Sequence, residues 1–228
     1  MHETKRIGMV IAVEIQSVLS KYAARLKEEK VPGFRVYSVD FEDKTLYIAQ
    51  SGAGEIRAAA AVQMLISVFN VELILNYGVV GALTEQLEVT NTCVVEKAVH
   101  YDFDTSAADA CEVGRYLDYE DIYLPTTPEY VKLTTEYDAA ILPVTCASGD
   151  KFIAEKSAKK AMSEAFKADI CDMESAAIIL VCDMNNVPNL IIKTVSDSIK
   201  GGVTEFRSSF TKAADTCLAI VDRIIETL

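Results

Sequence analysis

Short continuous apolar runs alternate along the chain with longer segments of helical period. Residues 6 to 13 (RIGMVIAV) form a β-branched run, the pattern of a strand buried on both faces. Over residues 14 to 30, Ile15, Val18, Leu19, Tyr22 and Leu26 recur at helical spacing and predict a helix. FRVYSVDFED and KTLYIAQSG then alternate about Glu42-Asp43-Lys44, which predicts a hairpin. The Ala-rich EIRAAAAVQMLISVFN reads as a helix, and VELILNYG (71 to 78) as another buried strand.

The second half continues in kind. Residues 91 to 102 read as a strand, 101 to 128 as a long irregular segment, 139 to 148 as a strand, and 154 to 166 as a helix. A helix over 174 to 186, closed by Asn and Pro188, precedes a strand over 189 to 197, and an amphipathic helix fills 204 to 228. Alternating strands and helices predict an α/β fold with a mixed, largely parallel central sheet and helices on both faces. No Ser/Gly/Pro-rich linker interrupts it, so residues 1–228 are expected to form one domain. In such sheets ligands bind beyond the carboxyl ends of the strands. Four predicted strand ends are polar or glycine-rich: Ser51-Gly52-Ala53-Gly54, Gly78-Val79-Val80-Gly81, Ser148-Gly149-Asp150 and Ser196-Asp197.

Composition narrows the classes. With 228 residues, 50% of them hydrophobic, the chain is long enough to bury about 70% of its unfolded surface. Its formal charge of -12, from 34 acidic and 22 basic residues, disfavours a nucleic-acid partner. No apolar run approaches the length of a membrane span, and the first residues lack a signal-peptide cleavage pattern, so a cytoplasmic protein without a membrane partner is expected. The six cysteines form no CxxC, and with only His2 and His100 beside them no metal site is expected.

Two carboxylates carry candidate chemistry. In CDMESAAIILVC (171 to 182), Asp172 and Glu174 stand at the mouth of an apolar helix, where a carboxylate without water needs a partner. Glu174 reads either as a helix-start anion stabilised by the macrodipole or as an acceptor for the two hydroxyls of a vicinal diol. Asp197, at the end of an almost wholly apolar strand, reads either as a helix N-cap or as a general acid with a pKa raised by burial. The glycines of SGAG fit either a tight turn or the approach of a ligand to a helix N-terminus.

In order and across nearly the whole chain, the IG-MVIA strand, SGAG, NYGVVGAL, VEKAVHYDFD, SGDKFI, DMESAA and TVSD resemble the nucleoside phosphorylase/nucleosidase superfamily, most of all its 5′-methylthioadenosine/S-adenosylhomocysteine nucleosidases. The resemblance implies a three-layer α/β/α subunit, usually dimeric, that needs no cofactor and cleaves the N-glycosidic bond of an adenine nucleoside, releasing adenine. It makes Asp197, beside Ser196, the acid at N7 of the base. It makes Glu174 the ribose acceptor with Met173 packed on the sugar, and places Phe152 and Ile153 on adenine. Val79, Val80 and Gly81 would border the sugar, while Val13 and Phe206 would line an apolar slot for a thioalkyl group. Tyr101, Asp102 and Phe103 would sit near a dimer contact.

Three positions depart from that pattern. Gln16 stands where the family has the glutamate that orients the attacking water, Val79 where it has a serine, and Lys193 where it has an arginine. An amide cannot take a proton, so the expectations divide: a hydrolase with altered activity, a phosphate-dependent phosphorylase to which Arg57 and Lys193 would lend charge, or a nucleoside-binding homologue without turnover.

Overall fold

The computed structural model describes residues 4–228, so His2 lies outside the described residues. Strand β1 (Lys5–Ile11) and helix α1 (Ile15–Tyr22) follow the predicted order, but α1 stops well before residue 30. Leu26 is the last apolar residue on its face. The Lys-Glu-Glu-Lys stretch beyond it has no apolar stripe to bury, and its backbone instead pairs antiparallel, as edge strand β2 (Lys27–Val31), with β3 (Phe34–Asp40). The hairpin from β3 to β4 (Lys44–Gln50) forms around the expected turn, closed by Phe41 N–H on the Lys44 carbonyl.

Helix α2 (Glu55–Phe69) leads into β5 (Leu73–Ala82), which is longer than its apolar run. Gly78 to Gly81, read as a strand end, continue the ladder. After β6 (Thr92–His100), the irregular segment holds the one-turn α3 (Ser106–Asp109) and the two-residue β7 (Leu124–Pro125), and α4 (Pro128–Tyr137) follows it. Then come β8 (Leu142–Ser148), α5 (Lys156–Phe166), the three-residue β9 (Ile170–Asp172), α6 (Ser175–Met184), β10 (Asn189–Asp197) and α7 (Val203–Thr227).

The sheet is mixed. β1 lies parallel to both β4 and β5, while β2, β3 and β4 form an antiparallel ribbon on one side. On the other side β5 pairs with β10, β10 with β6, β6 with β8, β8 with β9, and β9 with the far end of β5. These five strands therefore close on themselves. Helices α2 and α6 cover one face, with Ala58, Leu65, Ile178 and Ile179 packed on Val10, Ala49 and Ile74. Helices α1, α4 and α7 cover the other, where Val18, Leu218 and Val221 meet Met9, Ile48 and Leu75. Each such fully buried side chain contributes about 1.5–3 kcal/mol of transfer free energy. The result is a three-layer α/β/α arrangement. The carboxyl ends of β1, β4, β8 and β10, with the second half of β5, meet over one cavity.

Candidate active site

That cavity measures about 580 Å³, within the range of small-molecule sites. Asp197, Ser196, Glu174 and Met173 line it, as do Val79, Val80 and Gly81 of β5. Phe152, Ile153, Val13 and Phe206 complete the apolar wall. Gln16 is not part of it: its side chain is exposed on the outer face of α1. The carboxylate that reaches the cavity from this segment is Glu14, which is 4% exposed.

Glu14 is the N-cap residue of α1, with φ -82° and ψ 15°, and its side chain folds back over the strand end instead of continuing down the helix. Its Oε1 accepts from Val79 N–H at 3.0 Å and its Oε2 from Val13 N–H at 2.9 Å. Gly78 makes room for it. A Cβ there would lie 3.0 Å from Glu14 Oε1 and 3.6 Å from Lys193 Nζ. The carboxylate of Glu14 thus shares one backbone gap with the ammonium of Lys193, while Arg57 does not line the cavity.

Glu174 occupies the N-cap of α6 rather than its first turn. Its Oε1 accepts from Gly54 N–H at 3.0 Å, so the SGAG turn supplies a donor to this carboxylate. Burial raises the Glu174 carboxyl, Lys193 opposes the rise, and the nearby Asp172 charge adds to it, leaving a pKa of about 7. The remaining acceptor capacity of Glu174 faces the cavity, a suitable partner for hydroxyl donors.

Asp172 serves as a hub beneath the site. It ends β9 and accepts from Lys193 Nζ at 2.8 Å, from Ser175 Oγ at 2.5 Å and from Ser148 Oγ at 2.7 Å. Burial pushes its carboxyl up, but Lys193 and the serine hydroxyls more than reverse this, to about 2. Ser148 Oγ also lies 2.6 Å from Glu55 Oε1 and accepts from Ala176 N–H. A hydroxyl has one proton and cannot donate to two carboxylates. Glu55, pushed up to about 8 by burial and then by the Asp172 charge, carries the missing proton and donates to Ser148, which donates to Asp172. No sequence reading singled out Glu55. Its signal would have been a carboxylate in the first turn of an otherwise apolar helix.

Asp197 is the last residue of β10, and the N-cap of α7 is Gly202, so Asp197 is not a helix cap. It is 1% exposed, and burial raises its pKa against the opposing pull of Lys159. Ser196 Oγ donates to its Oδ1 at 2.9 Å. Across the cavity Phe152 meets Phe206 edge-on at 5.2 Å, and Phe206 meets Phe210 at 5.5 Å. Tyr101 reaches the rim by donating to the Lys151 carbonyl at 3.3 Å. The arrangement puts the carboxyl groups of Asp197, Glu174 and Glu14 around one largely apolar space.

Comparison with known proteins assigns the chain to a family. The model of the family described as the phosphorylase superfamily matches residues 7–226. The chain is 26% identical to an aminodeoxyfutalosine nucleosidase of Helicobacter pylori over 98% of this chain and 100% of that protein. It is 28% identical to a 5′-methylthioadenosine/S-adenosylhomocysteine nucleosidase of Staphylococcus aureus, over 97% and 100% of the two chains. The structure superposes on that of a futalosine hydrolase of H. pylori with a TM-score of 0.92, covering 100% of both chains at 25% identity.

Proposed function

The chain belongs to the phosphorylase superfamily, and from that premise we propose that it is an N-ribosyl hydrolase that splits the N-glycosidic bond of an adenine nucleoside of the methylthioadenosine or S-adenosylhomocysteine type. The observation that carries this reading is the meeting of Asp197, Glu174 and Glu14 on one cavity. The nucleosidase and hydrolase names borne by the proteins it resembles support water as the nucleophile.

Each residue takes one part of the reaction. The purine lies against Phe152 and Ile153, and Asp197 gives a proton to its N7 as the bond from C1′ breaks and the electron pair leaves with the base. Acid at the leaving group and fixed dipoles around the developing charges lower the barrier. Glu174 accepts from the ribose hydroxyls with Met173 against the sugar, and Val80 and Gly81 border it. Glu14, held by the Val79 and Val13 amides, orients the water that attacks C1′ and takes its proton. Glu14 thereby fills the role that the family pattern gives to the position of Gln16, and Val79 contributes its N–H. The slot between Val13 and Phe206 takes the 5′ substituent.

The test is release of adenine from 5′-methylthioadenosine by the purified protein, with and without phosphate. Release without phosphate is expected. Release only when phosphate is present would make the protein a phosphorylase, and binding without release would make it a nucleoside-binding homologue. Asp197→Asn should keep riboside affinity while losing about 100- to 10,000-fold in cleavage, the usual worth of a general acid. The homodimer belongs to the same reading, with Tyr101 hydrogen-bonded to Lys151 at the cavity rim, and sedimentation reports it. No helix among the described residues is long and apolar enough to cross a membrane.

A further inference from the structure

Helix α5 turns one residue into the interior, and that residue is a lysine. Lys159 is 0% exposed and is the only buried position of α5. Its ammonium donates to Asp197 Oδ2 at 2.5 Å and to the Ser198 carbonyl at 2.7 Å. Burying an ammonium costs several kcal/mol before any partner is counted, and a well-packed hydrocarbon of similar size serves stability as well or better. A chain that needed only packing here would have no use for the charge.

The geometry of the acid gives it one. Asp197 lines the cavity and Lys159 does not. One carboxyl oxygen is held by Lys159 and the other by Ser196 Oγ, so the plane of the group is fixed from both sides. The ionisable groups facing Asp197 from the surrounding elements are Lys159 on α5, Cys171 on β9 and Glu205 on α7. Lys159 is the cation among them. Burial makes Asp197 a weaker acid, and Lys159 opposes that effect.

We propose that Lys159 is the positioning residue of the leaving-group acid, orienting the Asp197 carboxyl toward the cavity and setting how readily it gives up its proton. The inference rests on the reading of Asp197 as that acid. When the glycosidic bond breaks, its electron pair stays with the base and the proton passes from the Asp197 carboxyl to the base nitrogen. Lys159 keeps its own protons, and its ammonium stabilises the carboxylate left behind.

The experiment measures adenine release from 5′-methylthioadenosine against pH for Lys159→Met, Lys159→Arg and the parent chain. Because the acid acts in its protonated form, the alkaline limb of the profile follows its pKa. Loss of a neighbouring cation should raise that limb by about 1–3 pH units. In Lys159→Met the turnover number should fall by roughly tenfold or more, with KM nearly unchanged. Lys159→Arg should return the limb toward its parent position. In an Asp197→Asn background Lys159→Met should have no further effect on turnover. A folded Lys159→Met with parent turnover, or with reduced turnover and an unmoved limb, overturns the proposal. If the Met variant does not fold, Lys159→Gln is read the same way, and failure of both to fold assigns the lysine to the core and also overturns it. No release by the parent chain would sink the hydrolase reading itself, whereas release indifferent to Lys159 sinks this inference alone.

Discussion

A carboxylate that must accept two hydroxyl protons works only while it is ionised, and Glu174 stands near its midpoint at neutral pH. Riboside affinity should therefore rise as pH goes from about 6 to 8 and then level, an outcome that a fluorescence or calorimetric titration checks. Glu174→Gln should remove the pH dependence and weaken riboside binding by about 10- to 100-fold, the value of hydrogen bonds to a charged acceptor, while free adenine binds as before. Glu14→Gln should instead lower turnover and leave riboside affinity close to the parent's. Equal rates in the two proteins would remove Glu14 from the water site. Asp197 was legible in sequence as an acid ending an apolar strand, and the resemblance carried by TVSD, not the spacing, is what favoured a leaving-group acid over a helix cap. Glu14 was not, because motif spacing points to Gln16. Only the backbone of the cap, together with the bare Gly78 opposite, turns Glu14 inward.

Elements were legible where one pattern dominated a long window. The alternation of the hairpin, the Ala-rich stripe of α2 and the continuous apolar runs of β1 and β10 have one interpretation each. The misreadings fall on short or amphiphilic pieces. β2 has no apolar face and exists through its pairing with β3, while β9 is three residues caught between β5 and β8. Yet β9 matters to the site, since it carries Asp172 to the base of α6. There two helix starts face each other, with the Gly54 N–H of the α2 start held by Glu174 of the α6 start. Gly54 has φ +107°, and a Cβ on it would sit 2.9 Å from Asp150 Oδ1. Gly54→Ala should cost about 1–3 kcal/mol of stability by chemical denaturation and should weaken riboside binding in parallel, because the donor to Glu174 shifts with the turn.

For the whole molecule, buried ionisable groups set how stability changes with pH. Glu55 and Glu174 have folded pKa values of about 8 and about 7, above those of the unfolded chain. Between roughly pH 4.5 and 8 the native state therefore binds more protons than the unfolded one, and stability falls as pH rises, by up to about 1.4 kcal/mol per pH unit for each such group. Asp172 works in the opposite sense. Its carboxyl is held at about 2, so its contribution is complete above pH 4 and is lost as pH falls through 2. The urea midpoint should drop between pH 5 and 8.5, and Glu55→Gln should flatten that drop. A midpoint that climbs over this range would contradict the protonated state of Glu55. The alternation of elements announced a layered α/β molecule, but ring closure by β5, β10, β6, β8 and β9 was invisible to it, since it depends on which strands are neighbours in space.

That closure has a consequence for how the molecule behaves in a crowd. Strands joined in a ring leave few free amides and carbonyls, and among the described residues β2 is the strand that ends the sheet on its open side. β2 reads Lys-Glu-Glu-Lys-Val, a border written almost wholly in charge. An intruding strand would have to desolvate those charges to dock. Concentrated solutions of the native protein should stay clear and fail to bind amyloid dyes, and neutralising Lys27, Glu28, Glu29 and Lys30 together should be what first allows fibres to seed.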